Sequence, residues 1–184
     1  MCGIIGYAGL CNISNSVLIE GLEALEYRGY DSAGVAVVHD GEVQVVKAKG
    51  KVSFLKKKME AVGLAGGQVG IAHTRWATHG EPSEINSHPL QSGNTTLVHI
   101  GIIENYNELK KELENAGYTF KSDTDSEIAC AYIDYCYFLK KDKQQALACA
   151  YHHFRGSFAF AIIFADEADV IYAMRKNSPL VLGV

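Results

Sequence analysis

The chain has 184 residues, of which 48% are hydrophobic and 21% charged, with a formal net charge of −4 at pH 7. That length suits one domain with a single sizeable core, read here over residues 1–184. The acidic balance excludes an electrostatic footprint for nucleic acid, and the longest strongly apolar block, Gly156 to Ala165, falls far short of the ~20 residues needed to span a membrane.

Residues Met1 to Ile19 carry no charge, so the positive n-region of a secretory signal is missing. Ile4 to Ala8 reads as a short buried strand. Ser14 or Asn15 can cap a helix running to about Glu26, with Val17, Leu18, Leu22 and Leu25 on one face. Ala33 to Val38 and Glu42 to Ala48 flank Asp40-Gly41, the strongest short hairpin signal. Lys51 to Val62 reads as a helix whose Lys56-Lys57-Lys58 run is a solvated face. Gly66-Gly67 then precedes a strand, Val69 to Thr74. Pro82 and Pro89 bracket a long irregular stretch before the strand Thr95 to Ile100. Helices are expected near Glu104 to Ala116, Thr124 to Leu139 and Gln144 to His153, and Ser157 to Phe164 with Val170 to Met174 form a second hairpin. Hairpins toward both ends with helices between predict an antiparallel α+β layering. The final residues, Ser178 to Val184, still read as ordered sequence, as in a domain excised from something longer.

Five cysteines, at positions 2, 11, 130, 136 and 149, include no C-x-x-C pair. An odd set of this kind predicts a reducing, cytoplasmic setting without a disulfide framework or zinc site. Cys130, Cys136 and Cys149 fall in helical patterns and read as small core residues. The seven histidines lack H-x-x-x-H and H-E-x-x-H spacing, so no metal site is expected.

Cys2 is the residue with the clearest chemistry. If Met1 is removed, Cys2 carries a thiol and a free α-amine together, a nucleophile with its own base. The amine has a reference pKa of about 7.7–8.0 and the thiol about 8.5, so the two can exchange a proton near neutrality. Three further segments are dense in residues that bind or react: Tyr27 to Gly34, His73 to Gly80, and His99 to Asn105. Each lies where a loop meets a rigid element. The alternative readings are structural: a surface arginine, a packed tryptophan, and core histidines at 73 and 99 satisfied by the backbone.

Cys2-Gly3-Ile4, Tyr27 to Gly34 and His73 to Gly80 together resemble the glutaminase (class II glutamine amidotransferase) domain of the glutamine–fructose-6-phosphate amidotransferases, the glucosamine-6-phosphate synthases. The resemblance continues through Ser122-Asp123-Thr124-Asp125 to Ser178-Pro179-Leu180. It implies the N-terminal-nucleophile hydrolase fold, a four-layer αββα sandwich with two mostly antiparallel sheets, and no cofactor. It also implies L-glutamine as substrate: Cys2 as nucleophile and α-amine base, Arg75 on the α-carboxylate, Asp125 on the α-ammonium, Thr78 and His79 lining the pocket, and Trp76 on a closing loop. Ammonia would pass to a C-terminal sugar-isomerase domain outside these residues, and a homodimer is compatible with the family. Phosphoribosylamine-forming relatives share the N-terminal Cys and a similar tyrosine–arginine–glycine turn, but have a different sequence where Trp76 and His79 stand.

One position departs from the family pattern. Where it has Asn-Gly, supplying a side-chain amide and a backbone N–H to the oxyanion hole, this chain has Ile100-Gly101. Gly101 retains its backbone donor, whereas Ile100 has none to offer. The sequence therefore supports either a glutaminase with impaired turnover or a silent glutamine-binding or structural domain.

Overall fold

Two four-stranded antiparallel sheets, each with an outer layer of helices, make up the computed structural model, which describes residues 2–76 and 81–183. The expectations for Met1, Thr78 and His79 lie outside the described residues. In chain order the elements are β1 (Gly3–Ala8), α1 (Ser14–Leu25), β2 (Ser32–His39), β3 (Glu42–Lys49), α2 (Val52–Ala61), β4 (Val69–Arg75), β5 (Leu90–Ser92), β6 (Thr95–Ile103), α3 (Tyr106–Asn115), α4 (Asp125–Lys140), α5 (Lys143–His153), β7 (Gly156–Phe164) and β8 (Glu167–Lys176). The first sheet has strand order β1-β4-β2-β3 and the second β5-β6-β7-β8.

Burial on both faces explains why the central strands read as continuous apolar runs. Val35 and Val37 point outward and pack with Leu18 and Leu22 of α1 and Leu55 and Met59 of α2. Their neighbours Ala36 and Val38 point inward and meet Ile71, Val98 and Ile163 in the core between the sheets. The outer face of the second sheet, with Leu97, Phe160 and Phe164, packs against Leu113, Ile128 and Ile133 from α3 and α4. Successive strand residues thus feed different cores, and the layering is the expected αββα.

Local chemistry sets most boundaries. Asp40 and Gly41 both have positive φ, 50° and 79°, as a two-residue turn between β2 and β3 requires. Thr124 caps α4 by accepting from Glu127 N at 3.2 Å, and Asp142 caps α5 by accepting from Gln145 N at 2.7 Å. The expected cap of α1 is corrected. Ser14 is the first helical residue, its hydroxyl accepts from Gly67 N at 2.9 Å, and Asn15 donates to Leu64 O at 2.7 Å. Both side chains tie the helix to the loop before β4 rather than to its own first turn.

The sheets are joined by histidines. His73, on the inner face of β4, lies with Nε2 3.0 Å from the carbonyl of His99 on β6. A carbonyl can only accept, so Nε2 carries the proton. His88 lies against His73 with ring centroids 4.1 Å apart and the rings tilted by 40°, and His99 stacks on Phe160 at 4.4 Å. His99 Nδ1 sits 2.7 Å from Ser126 Oγ, which extends the connection into α4. Burial depresses His73 to about 3 and His99 to about 4, and holds His88 well below its ordinary range. Neither ring nitrogen of His88 has a hydrogen-bond partner among the described residues.

These histidines make stability depend on pH. Below about pH 6.5 the unfolded chain protonates them, whereas the folded chain resists until about pH 4 at His99 and about pH 3 at His73. Unfolding therefore takes up protons in that window, and stability falls as pH falls, by about 1.4 kcal/mol per pH unit for each histidine kept neutral. Denaturant titrations between pH 7.5 and 5 should show this loss; a flat profile would mean that the rings protonate without unfolding.

Candidate active site

The register of β1 on β4 brings the start of the chain to its seat. Gly3 pairs with Thr74, so Cys2 lies beside the end of β4. A side chain at position 3 would come 2.9 Å from Leu25 Cβ and 3.0 Å from Thr74 Oγ1, so only glycine allows this approach. Trp76 N donates to Cys2 Sγ at 3.3 Å, and the thiol donates to Trp76 O at 3.6 Å. Burial pushes the Cys2 thiol up; the Trp76 backbone bond and the Arg75 cation oppose this, while Asp31 adds to it. A thiol in this state needs a base beside it before it can attack.

The turn from Tyr27 to Gly34 wraps this corner. Arg28 Nε donates to Cys2 O at 3.2 Å, and Asp31 N donates to Arg75 O at 3.2 Å. At Gly29 a Cβ would lie 2.6 Å from the Arg75 carbonyl carbon and 2.9 Å from Trp76 N, so a larger residue would push away the backbone that holds the thiol. Tyr30 meets Trp76 edge-on with centroids 5.5 Å apart. Arg75 itself is only 4% exposed and donates from Nη1 to Glu81 O at 3.4 Å, whereas Trp76 is 46% exposed. A buried arginine thus precedes the residue that holds the thiol, and that residue's own ring is exposed.

The remaining expected residues are on the facing sheet. β6 runs three residues beyond the expected end, so Ile100 lies inside the strand, paired with Ala159, and not at its terminus. Strand alternation places its half-buried side chain on the inner face with Val98, toward the first sheet. Gly101 has φ of +124°, and a Cβ there would collide with Ser157 O and lie 2.7 Å from Phe158 Cα. Asp125 is the first residue of α4; its Oδ2 accepts from Ile103 N at 2.8 Å and its Oδ1 from Ser126 Oγ at 3.3 Å.

Cys2 and Trp76 are in direct contact with Arg75 alongside, and the His73–His99 bond fastens that corner to the strand carrying Ile100 and Gly101. Asp125 is bound to the end of the same strand. A thiol held by a backbone N–H, with a buried arginine next along the strand, suits nucleophilic attack once a base has taken its proton. Two supporting residues have no role in the sequence reading. Arg28 lies in the segment Tyr27 to Gly34, but its bond to residue 2 is non-local. Asn86, in the irregular stretch, donates to Glu81 O at 3.1 Å and Asp123 Oδ2 at 3.3 Å and accepts from Asp123 N at 3.0 Å. It couples the segment after Arg75 to the approach to α4.

Comparisons with known proteins bear on the family and the fold. A family model described as a glutamine amidotransferase domain matches residues 73–182. The chain is 48% identical over 186 positions to the glutamine–fructose-6-phosphate aminotransferase of Clostridium acetobutylicum, covering all of this chain and 30% of that protein. It is 45% identical over 186 positions to the same-named protein of Pyrococcus horikoshii, covering all of this chain and 31% of that one. The chain thus spans about a third of the length of these curated relatives. Among solved structures, glutamine phosphoribosylpyrophosphate amidotransferase from B. subtilis superposes with a TM-score of 0.67 at 26% identity, over 89% of this chain and 35% of that chain. A structure described as the allosteric regulatory enzyme of purine biosynthesis superposes with a TM-score of 0.73 at 24% identity, over 90% of this chain and 36% of that chain, a likeness of fold.

The Gly101 geometry gives a direct test of the strand's course. Gly101→Ala combines a positive φ with a backbone collision, so it should lower stability by about 2 kcal/mol or more, measured by denaturant unfolding. A neutral effect would mean that the backbone here takes a different path.

Proposed function

The chain belongs to the glutamine amidotransferase domain family, and from that membership we propose that it cleaves the side-chain amide of L-glutamine with Cys2 as nucleophile. The observation that carries the reading is the seat of the thiol, with Trp76 N donating to Sγ at 3.3 Å beside buried Arg75. With Met1 removed, the Cys2 α-amine takes the thiol proton and Sγ attacks the amide carbon. The protonated amine then gives its proton to the departing ammonia, leaving a γ-glutamyl thioester that water hydrolyses to glutamate. Arg75 holds the α-carboxylate through its planar fork and Asp125 the α-ammonium; Trp76, Thr78 and His79 enclose the substrate, and Gly101 N–H faces the carbonyl oxygen as it gains charge.

The curated relatives are named as glutamine–fructose-6-phosphate aminotransferases. In our reading the released ammonia serves glucosamine 6-phosphate synthesis from fructose 6-phosphate, in a C-terminal sugar-isomerase domain. A cytoplasmic setting and a homodimer belong to the same reading. Among the described residues, no helix is long and apolar enough to cross a membrane.

Ile100 favours a second reading. An alkyl side chain cannot donate to an oxyanion, and the loss of one such donor lowers kcat by roughly 10²–10³-fold. The domain would then bind glutamine while turning it over slowly or not at all. Ile100→Asn should raise kcat by about 10²-fold with a much smaller change in glutamine affinity, provided that intact mass shows a free Cys2 amine in both proteins. An unchanged kcat would remove position 100 from the oxyanion site.

The nucleophile is tested separately. A glutamine-like electrophile should modify Cys2 ahead of Cys11, Cys130, Cys136 and Cys149 in peptide mapping. Preferential modification of any other cysteine would displace Cys2 from this role.

A further inference from the structure

Two thiols that the proposed chemistry does not use meet on the far side of the second sheet. Cys136, on α4, is 1% exposed, and Cys149, on α5, is half-buried against the same core. Their sulfurs are 3.0 Å apart, with the Cys136 thiol donating to Cys149 Sγ. The helices carrying them form a tight hairpin turned by Lys141 in the left-handed conformation at φ 56°. A disulfide has an S–S distance of about 2.05 Å, so bond formation requires a closing movement of only about 1 Å. His153 stands one turn after Cys149. Its Nδ1 is 2.8 Å from Cys149 O, which can only accept, so Nδ1 carries a proton. The same ring nitrogen lies 4.0 Å from Cys149 Sγ.

From this geometry we infer that Cys136 and Cys149 are a reversible dithiol–disulfide modification site, oxidised by small disulfides such as oxidised glutathione and distinct from Cys2. Burial, and then the bond to Cys149, push the Cys136 thiol far above its ordinary range, so the more accessible Cys149 reacts first. Its thiolate attacks one sulfur of the small disulfide and expels the other as a thiolate, giving a mixed disulfide. Cys136 Sγ then attacks Cys149 Sγ, its proton passing to the second departing thiolate. The protein pair loses two electrons and two protons, and the small disulfide gains them as two thiols. In a reducing compartment such a bond is transient, in keeping with a sensing rather than a structural disulfide. The ring it closes runs from residue 136 to 149 across the α4–α5 turn, so oxidation restricts the unfolded chain.

The test treats the purified protein with oxidised glutathione, blocks remaining thiols, and maps peptides without reduction. The expected result is a Cys136–Cys149 crosslink, a mass lower by two hydrogens, a Tm higher by about 5–10 °C, and full reversal by dithiothreitol. Cys136→Ala should stop at a glutathione adduct on Cys149, and Cys149→Ala should prevent both adduct and crosslink at this pair. Crosslinks that map to Cys2 and Cys11 instead, or alkylation of both Cys136 and Cys149 after exposed Cys11 has been oxidised, would overturn the inference. Mapping of the unsubstituted protein decides the matter even if a variant fails to fold.

Discussion

The hydrogen bond between His73 Nε2 and the carbonyl of His99 is the fixed point between the two sheets at the end where the candidate site lies. The core between the sheets is otherwise built from modest side chains such as Ala36, Val98 and Ala161, whose contacts are non-directional. A buried polar bond adds direction: it sets how far β4 can slide along β6. Arg75 follows His73 by two residues and Ile100 follows His99 by one, so this contact lies close to both in the chain. The polar connection continues through Ser126 to the first turn of α4, and Asp125 precedes Ser126. Two buried polar bonds, one of them to a backbone carbonyl, thus relate three segments that are distant in sequence.

The sequence reveals elements better than it reveals partners. Asp40-Gly41 marks its hairpin because both residues must take positive φ, and Thr124 marks α4 because its hydroxyl satisfies a backbone donor of the first turn. β5, only Leu90 to Ser92, is too short for any period to show. Ser14 reads as a cap because Ser usually is one, yet a buried N–H on Gly67 takes its hydroxyl. The glycine at 101 reads as a break after Ile100; instead the strand continues through it with an unusual φ. In the site, Cys2, Arg75 and Trp76 are legible through residue type and segment density. Arg28 and Asn86 are not, since what matters in them is a bond to a residue far along the chain, which no local pattern encodes.

In the proposed chemistry, position 100 meets two different demands, packing and charge stabilisation. Its half-buried side chain lies on the face of β6 that also carries Val98. An isoleucine suits an apolar face, but in the proposed chemistry it offers no donor to the developing charge. A residue can suit the core and not the chemistry, because packing rewards shape whereas a developing charge needs a dipole already in place.

The pairing of Gly3 with Thr74 also has a consequence in time. Residue 2 is made first, but the strand that seats it is made some 70 residues later, roughly 4–14 s at about 5–20 residues per second of synthesis. Until then β1 has no neighbour in its sheet, so the Met1 removal that the proposed mechanism requires could act on a segment not yet seated. In that reading the topology separates maturation from assembly, because the seat of Cys2 is complete only when β4 arrives.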